Sequence, residues 1–383
     1  MGGMAHQLTI EQVSAALATV NDPEIRKPIT ELDMVKNVEI APDGAVQVGI
    51  YLTVAGCPMK DTLTRNVTEA VQRLEGVTSV HVELDVMNEE QRKALQTKLR
   101  GGEAVKEIPF ARPNSLTKVY AVASGKGGVG KSSVTVNLAA ALAAQGRKVG
   151  VVDADIYGHS VPRMLGVEHP PTKVEDMILP PTAHDVKVIS VGMFTAGNQP
   201  VVWRGPMLHR ALQQFLADVY WGDLDILLMD LPPGTGDIAI SVAQLLPSAE
   251  ILVVTTPQQA AAEVAERAGA IAAQTHQQVV GVIENMSYLT CEHCGERQDI
   301  FGAGGGQTVA DALTQTLGTR VPLLGQVPID PRLREGGDNG RPLVLADPDA
   351  EAAKELRTIA DKIGGRSRGL AGMSLGIAPK AKF

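Results

Sequence analysis

The chain has 383 residues, enough for two domains with separate cores, and its 44% hydrophobic and 20% charged residues are typical of a protein that folds in water. A net charge of −8 and 3% aromatic residues argue against broad binding to nucleic acid, and no apolar run approaches the ~20 residues of a membrane span. Three cysteines, and an N-terminus without the basic flank and apolar core of a signal peptide, favour the cytoplasm, where thiols serve metals or chemistry.

The first hundred residues predict a small α/β domain, because apolar residues recur at helical spacing in some stretches and alternate in others. The turn sequence Pro42-Asp43-Gly44 between two apolar runs predicts a β-hairpin. We expect this domain to span residues 1–100 and a linker with two prolines to follow at 101–115. The predicted elements are a helix at 8–20, strands at 35–40 and 46–54, a helix at 59–74, a strand at 77–86 and a helix at 88–99.

Cys57 lies in Gly56-Cys57-Pro58, between a predicted strand and the following helix. A thiol just before a helix, with Pro58 suited to the first turn, would lie near the positive helix end, which predicts a lowered pKa and a reactive thiolate. A buried cysteine acting as a small hydrophobic residue explains the position about equally well. Together with Asp22-Pro23-Glu24, the motif resembles the iron–sulfur assembly domain of cluster-trafficking factors, and that resemblance favours a functional thiol.

Strand and helix patterns alternate between residues 116 and 363, which predicts a mostly parallel sheet covered by helices on both faces. The Gly- and Ala-rich residues 364–383 are expected to form a disordered tail. The predicted strands lie at 119–124, 148–152, 186–191, 225–230, 250–255, 279–283 and 321–327.

A glycine-rich loop follows the first of these strands and precedes an Ala- and Leu-rich helix, and its G-x-x-x-x-G-K-S spacing is that of a P-loop. Such a loop directs backbone N–H groups at phosphates, while Lys131 supplies a charge for the β- and γ-phosphates and Ser132 a ligand for Mg²⁺. The fold class predicted is therefore an α/β P-loop NTPase with a small N-terminal α/β domain. The nucleotide-binding residues predicted in the loop are Gly125, Lys126, Gly127, Gly128, Val129, Gly130, Lys131, Ser132 and Ser133.

A second lysine, Lys126, gives the loop the sequence Lys-Gly-Gly-Val-Gly-Lys-Ser. This resembles the deviant Walker A motif of the nitrogenase iron protein, MinD and the partition ATPases. The resemblance implies that Lys126 reaches across a nucleotide-sandwich homodimer to the phosphates bound by the partner. A solvated loop lysine is the weaker explanation.

Acidic residues follow two apolar strands, Asp153 and Asp155 after the first and Asp230 after the second. One strand-end aspartate is more often a helix cap or turn residue, but two such sites in order behind a P-loop favour a magnesium site. Asp230 is predicted to hold Mg²⁺ as a Walker B carboxylate. The family resemblance implies that Asp155 positions the attacking water and that Asp153 supports the metal.

Base recognition is carried over from the same resemblance. Asn285 follows the predicted strand at 279–283, and the family commonly uses such an asparagine for adenine. Pro328 and Asp330 match a second segment that borders the base. Ordinary loop chemistry explains either segment as well.

Cys291 and Cys294 form a C-x-x-C motif followed by Gly295, a pattern that resembles a metal knuckle in which both thiolates face one ion. An Fe–S cluster or zinc takes four thiolates, and this motif supplies two. Two knuckles across a twofold axis complete the set. His293 is expected to be an exposed knuckle residue rather than a ligand.

The whole arrangement resembles the Mrp/ApbC-type iron–sulfur cluster carrier ATPases. The resemblance implies ATP, Mg²⁺ and a [4Fe–4S] cluster held between the subunits of a homodimer, an upstream cluster donor, apo-protein acceptors, and neither nucleic-acid nor membrane partners. Alternatives are a partition or positioning ATPase of the MinD/ParA type and a dimeric ATPase with structural zinc. Besides the motifs above, the matching segments are Trp203-Arg204-Gly205-Pro206 and Pro232-Pro233-Gly234-Thr235-Gly236-Asp237.

Overall fold

The computed structural model divides into two compact units. The small unit comprises Met1–Glu107, Glu168–Pro181 and Ala217–Gly222, and the large unit comprises the remainder. The structure describes residues 8–99, 107–112, 114–155, 158–194, 205–234, 237–258, 268–270, 272–291 and 293–364. Predictions outside these residues concern the tail from 365 onward, 101–106 and Pro113 of the linker, and the motif residues Trp203, Arg204, Thr235 and Gly236.

All six elements predicted near the N-terminus are confirmed in the small unit. Strand β2 is central, antiparallel to β1 and parallel to β3. Its alternate residues Val46, Val48 and Ile50 are buried, as are Leu63 and Val67 on one face of helix α2. The elements are α1 (Ile10–Leu17), β1 (Val35–Ile40), β2 (Ala45–Leu52), α2 (Lys60–Gln72), β3 (Ser79–Val86) and α3 (Glu89–Leu99).

The small unit also contains a hairpin from later in the chain, β6 (Thr172–Val174) and β7 (Met177–Leu179). Glu175 in its turn accepts a 2.8 Å hydrogen bond from Arg92 of α3. These residues fall within the predicted ATPase domain, and neither strand is predictable from the sequence, because three-residue strands are too short to show a period. The predicted domain limits at 100 and 116 stay a prediction.

The large unit is built on one eight-stranded sheet in the order β15-β12-β11-β4-β10-β5-β9-β8. Every neighbouring pair is parallel except β8 and β9. Of the eight strands in this sheet, the seven that were predicted are confirmed, with ends within two residues of those predicted. The short β8 was not predicted. The strands are β4 (Lys118–Ala123), β5 (Val149–Asp153), β8 (Thr182–Ala183), β9 (Val186–Ser190), β10 (Ile226–Asp230), β11 (Glu250–Thr255), β12 (Val279–Asn285) and β15 (Leu323–Val327).

Helices cover both faces of this sheet, as predicted. On β11, Leu252 and Val254 belong to one core cluster, whereas Ile251 and Val253 belong to another, and alternate residues of a strand point to opposite faces. The first cluster includes α4 and α11, and the second includes α8. The helices are α4 (Lys131–Ala144), α5 (Val161–Met164), α6 (Gly205–Ala217), α7 (Asp237–Leu245), α8 (Gly305–Leu317), α9 (Pro331–Asp338), α10 (Leu343–Ala346) and α11 (Glu351–Gly364).

The register of the central strands brings the predicted acidic residues together. Strand β10 lies between β4 and β5, and Asp230 at its end pairs in register with Asp153 of β5. Because parallel strands end at the same edge, both carboxylates lie at the edge from which the loop after β4 emerges. Within the described residues, no helix is long and apolar enough to span a membrane.

The core around α4 generates a stability prediction. Leu138 is fully buried on this helix, so Leu138→Ala removes apolar contacts and leaves a cavity. We expect it to lower the free energy of unfolding of the large unit by about 2–5 kcal/mol, measured by urea unfolding followed by circular dichroism.

The matched control is Leu116→Ala, the same substitution at a position that is 48% exposed, for which we expect a loss below about 1 kcal/mol. Equal losses in the two variants would contradict the assigned core.

Candidate nucleotide site and thiol hairpin

The loop between β4 and α4 borders a cavity of about 300 Å³. Backbone and side chains of Ser124 and Lys126–Ser133 line it, together with Asp155, Met164 and Pro233. This volume lies at the lower end of the usual range for ligand pockets. The sequence folds this way because Gly130 adopts φ +77°, a left-handed conformation that costs glycine little, immediately before the first turn of α4.

A buried ion pair lies at the base of the cavity. Lys131 Nζ is 2.7 Å from Oδ1 of Asp230, and the two side chains are 6% and 0% exposed. This contact has ionic distance but not hydrogen-bond geometry, and Lys131 Nζ has no hydrogen-bond partner among the described residues. The ammonium therefore retains N–H groups that can donate hydrogen bonds to an incoming anion.

Two hydroxyl groups complete the surroundings of Asp230. Ser132 Oγ donates to Oδ2 at 2.6 Å, and Thr135 Oγ1 donates to Oδ1 at 2.8 Å. Ser132 and Asp230 thus place two hard oxygen donors side by side, the ligand type that Mg²⁺ prefers. Thr135 was not predicted; its position four residues after Lys131, hence on the same helix face, was the sequence feature that could have indicated it.

Asn285, the last residue of β12, contacts the loop although β11 lies between β12 and β4 in the sheet. Its Nδ2 donates a 2.9 Å hydrogen bond to the carbonyl oxygen of Val129, and the side chain is buried. A Cβ on Gly130 would lie 2.3 Å from that same nitrogen, so the close approach requires glycine. The predicted contact of Asn285 with adenine stays a prediction, and the structure adds a contact with the P-loop itself.

The two acidic residues after β5 have different surroundings. Asp153 is fully buried and accepts hydrogen bonds from Ser190 Oγ at 3.1 Å and from the backbone of Asp155 and Val161. Burial, with the nearby Asp230 carboxylate, raises the pKa of Asp153 to about 8. These contacts favour a role in holding the segment after β5, and its predicted support of Mg²⁺ stays a prediction. Asp155 lines the cavity and accepts a 3.1 Å hydrogen bond from Gly158 N.

The remaining predicted nucleotide residues lie at the cavity rim or beyond it. Lys126 is exposed, as a lysine that reaches a second molecule must be. Pro328 is buried directly after β15. Asp330 caps helix α9, because its side chain accepts the backbone N–H of Arg332, and it also pairs with the Arg332 guanidinium at 2.8 Å. The contacts of Asp330 in the structure are those of a helix cap, and its predicted place beside the base stays a prediction.

Cys291 and Cys294 lie on an exposed hairpin. Its strands are β13 (Leu289–Thr290) and β14 (Arg297–Gln298), which pair antiparallel. Cys291 N donates to Glu296 O and Gly295 N donates to Cys291 O, which closes a tight turn around the motif. Gly295 has φ +74°, a conformation that glycine adopts readily. Cys291 is partly exposed, and Cys294 and His293 are exposed.

Among the described residues, no group of three or more His, Cys, Asp or Glu side chains is placed to hold a metal ion.

The pKa predicted for Cys57 is wrong. Helix α2 begins at Lys60, so Pro58 does not lie in its first turn, and the backbone hydrogen bond from Met59, the residue before the helix, lowers the pKa of Cys57 less than burial raises it. Cys57 is 6% exposed, and its Sγ donates a long hydrogen bond of 3.9 Å to Oε2 of Glu24. Burial, and then the Glu24 carboxylate, raise the pKa of Cys57 to about 11. Thr172 donates to the other oxygen of Glu24 at 2.6 Å, and no pattern in the sequence predicts that this segment contacts Glu24.

The sheet, the glycine-rich loop and the buried lysine–aspartate pair define a P-loop nucleotide-binding protein. Two family models match the chain. The chain belongs to the family described as NUBPL iron-transfer P-loop NTPase, which matches residues 115–364, and an iron-sulfur cluster assembly protein model matches residues 10–83. The predicted resemblance to the iron–sulfur cluster carrier ATPases is thereby confirmed, and this family is favoured over the partition ATPases.

Individual relatives agree with the family models. The iron-sulfur cluster carrier protein of Mycobacterium tuberculosis (strain ATCC 25618 / H37Rv) is 64% identical, covering 96% of each chain. That of Bacillus subtilis (strain 168) is 41% identical, covering 83% of this chain and 88% of its own. Among solved structures, a nucleotide-binding protein in complex with ADP from Archaeoglobus fulgidus has 34% identity and a TM-score of 0.54, covering 65% of this chain and 96% of that one.

The surroundings of the three thiols predict different reactivity. With a pKa of about 11, only on the order of one Cys57 thiol in several thousand is ionised at pH 7.5. We expect iodoacetamide to alkylate Cys57 at least about tenfold more slowly than the exposed Cys294, measured by peptide mass spectrometry. As the pH is raised toward the pKa of Cys57, its alkylation rate should increase about tenfold per pH unit, because the thiolate fraction increases in the same way.

Alkylation in urea is the control, since unfolding removes the burial of Cys57. Labelling of Cys57 in the folded protein as fast as that of Cys294 would contradict the assigned environment.

Proposed function

We propose that this protein binds and slowly hydrolyses ATP with Mg²⁺ and carries a [4Fe–4S] cluster, held between two copies of the chain, to apo-proteins. The observation that carries the proposal is an exposed pair of thiols on a hairpin that follows β12, the strand whose Asn285 binds the P-loop. A nucleotide site and a soft-metal site thus share one unit. The high-identity relatives named as cluster carriers support the same function.

The nucleotide half of the function uses residues around the cavity. The backbone N–H groups of the loop and the buried Lys131 ammonium receive the phosphates, since the contact of the ammonium with Asp230 lacks hydrogen-bond geometry and leaves N–H groups to donate. Asp155 orients the attacking water, in keeping with its place on the cavity wall. Lys126 contacts the phosphates bound by a second copy. Asn285, Pro328 and Asp330 form the base side of the site.

Ser132 and Asp230 would hold Mg²⁺, and Asp153 behind them fixes the edge of the sheet. Their oxygens lie 2.6 Å apart, and both belong to the hard donors that fit this ion. When bound, Mg²⁺ supplies positive charge that neutralises the phosphates as they separate.

The cluster is cargo, and each chain offers it two ligands. Cys291 and Cys294 are accessible on the hairpin, so two hairpins facing each other provide the four thiolates that such a cluster takes. A homodimer therefore belongs to the proposal, as do an upstream donor and apo-protein acceptors. We place the protein in the cytoplasm, where thiols stay reduced, because three cysteines in 383 residues are too few for a framework of structural disulfides.

Lys131→Ala tests the nucleotide site. The variant removes the charge that receives the phosphates, and we expect the rate of phosphate release from MgATP to fall at least about 100-fold. The matched control is Lys148→Ala, because that lysine has a side chain 66% exposed and pairs only loosely with Asp223, at 3.8 Å. Parental hydrolysis by a folded Lys131→Ala protein, checked by circular dichroism, would refute the assignment.

Cys291→Ala and Cys294→Ala test the cargo site. After anaerobic reconstitution, we expect either variant to lose bound iron and sulfide while its nucleotide affinity stays unchanged, because the hairpin is exposed. His293→Ala is the control and should keep the cluster. Iron, sulfide and zinc are measured per chain together with the visible absorption of the cluster. Normal cluster content in both cysteine variants, or zinc without sulfide in the parent, would count against the carrier proposal.

A further inference from the structure

The hairpin that carries the two thiols is too small to order itself. Each strand has two residues, and only two pairs are bridged, Leu289 with Gln298 and Thr290 with Arg297. An isolated two-stranded hairpin is marginally stable in water even when longer. From His293 to Ile300 every residue is exposed, so burial contributes little there. A fixed position for the thiols therefore requires support from outside the hairpin.

Glu351, the first residue of α11, supplies such support to both strands. Its Oε2 accepts a 2.7 Å hydrogen bond from Thr290 Oγ1. Its Oε1 accepts hydrogen bonds from Tyr288 at 3.0 Å and from Arg297 at 3.1 Å. The Arg297 guanidinium also lies 4.0 Å from the centre of the Tyr288 ring. One carboxylate thus receives three donors, from the residue before β13, from β13 and from β14.

The local electrostatics suit an ionised carboxylate at this place. Glu351 lies in the first turn of a helix, where the backbone dipole stabilises negative charge. The hydrogen bond from Thr290 does most to lower the pKa of Glu351. An exposed ion pair by itself contributes little, and Arg297 is largely exposed. The three-donor arrangement across both strands distinguishes this carboxylate from such a pair.

Helix α11 is itself fixed to the P-loop helix. Leu356, Ile359 and Ile363 of α11 are buried in the same core cluster as Leu138 and Leu142 of α4. A Cβ on Gly364 would lie 2.8 Å from a methyl carbon of Leu142, so the two helices approach closely at that end. Helix α4 begins at Lys131, the lysine of the nucleotide site. Helix α11 therefore contacts the thiol hairpin at its first residue and packs against α4, the helix that follows the P-loop.

We propose that Glu351 is the positioning residue through which α11 holds the hairpin of Cys291 and Cys294, and that this contact transmits nucleotide binding at α4 to the two thiols. The identity of the cargo rests on the proposed function above, whereas the tether itself rests on the contacts of Glu351. The alternative is an exposed ion pair that orders nothing, in which case the hairpin is indifferent to Glu351.

Hydrogen exchange of the amides of 288–298 in the full-length, cluster-free protein tests the tether. We expect Glu351→Ala to speed this exchange about tenfold, because opening of the hairpin then no longer requires breaking the three hydrogen bonds to Glu351. Glu351→Gln should give a smaller increase. Asp349→Asn is the matched control, since that carboxylate is 94% exposed, lies two residues earlier and pairs with Lys354 at 3.5 Å. It should leave the exchange unchanged.

The same measurement with MgADP tests the coupling. In the parent and in Asp349→Asn we expect the nucleotide to change hairpin exchange several-fold, and in Glu351→Ala we expect no change while ADP affinity is retained. Equal hairpin exchange in Glu351→Ala and the parent would overturn the tether. A parental hairpin that ignores MgADP, or a response that survives in Glu351→Ala, would overturn the coupling.

Iron retention separates this inference from the proposed function. After reconstitution, a ferrous chelator should remove iron several-fold faster from Glu351→Ala than from Asp349→Asn. A parent that binds no iron or sulfide would refute the carrier function and leave the exchange result standing. Exchange that ignores Glu351 in a parent that does carry a cluster would refute only the tether.

Discussion

The arrangement of the nucleotide site depends on one buried ion pair, Lys131 with Asp230. A lysine removed from water is costly unless an opposite charge lies beside it, and breaking such a pair on one side is strongly destabilising. Asp230 can pair with Lys131 only because β10 is the direct neighbour of β4. The end of β10 therefore lies beside the start of α4. The hydroxyl groups of Ser132 and Thr135 then satisfy the carboxylate from the same helix. Strand order, loop conformation and the first turn of α4 are thereby linked through two charges.

Much of this arrangement could be predicted from the sequence because its determinants are local. Apolar runs such as Ile226–Asp230 predict a buried strand, and the spacing of Gly125, Gly130 and Lys131 predicts a phosphate loop. The knuckle of Cys291 and Cys294 is local in the same sense. Its tight turn follows from adjacent residues, because backbone hydrogen bonds between Cys291, Gly295 and Glu296 close it.

What could not be predicted involves residues far apart in the chain. Thr172 donates to Glu24 from 148 positions away, and the strands that carry it there have three residues each. The pKa of Cys57 shifts opposite to the predicted direction, because burial, and then the Glu24 carboxylate, outweigh the backbone hydrogen bond at the start of α2. The contact of Glu351 with Thr290 likewise joins residues 61 positions apart. No local pattern encodes such pairs.

The thiol hairpin has a bearing on how this scaffold is reused. Among the described residues, the core clusters of Leu252 and of Ile251 on the two faces of the large sheet include no residue between 288 and 302. The hairpin is therefore an appendage that the folding of the sheet does not require. Proteins built on one ATPase scaffold can therefore acquire, lose or exchange such an appendage without changes to the core. Sequence divergence at the hairpin costs little folding free energy, whereas divergence at Lys131 or Asp230 costs much.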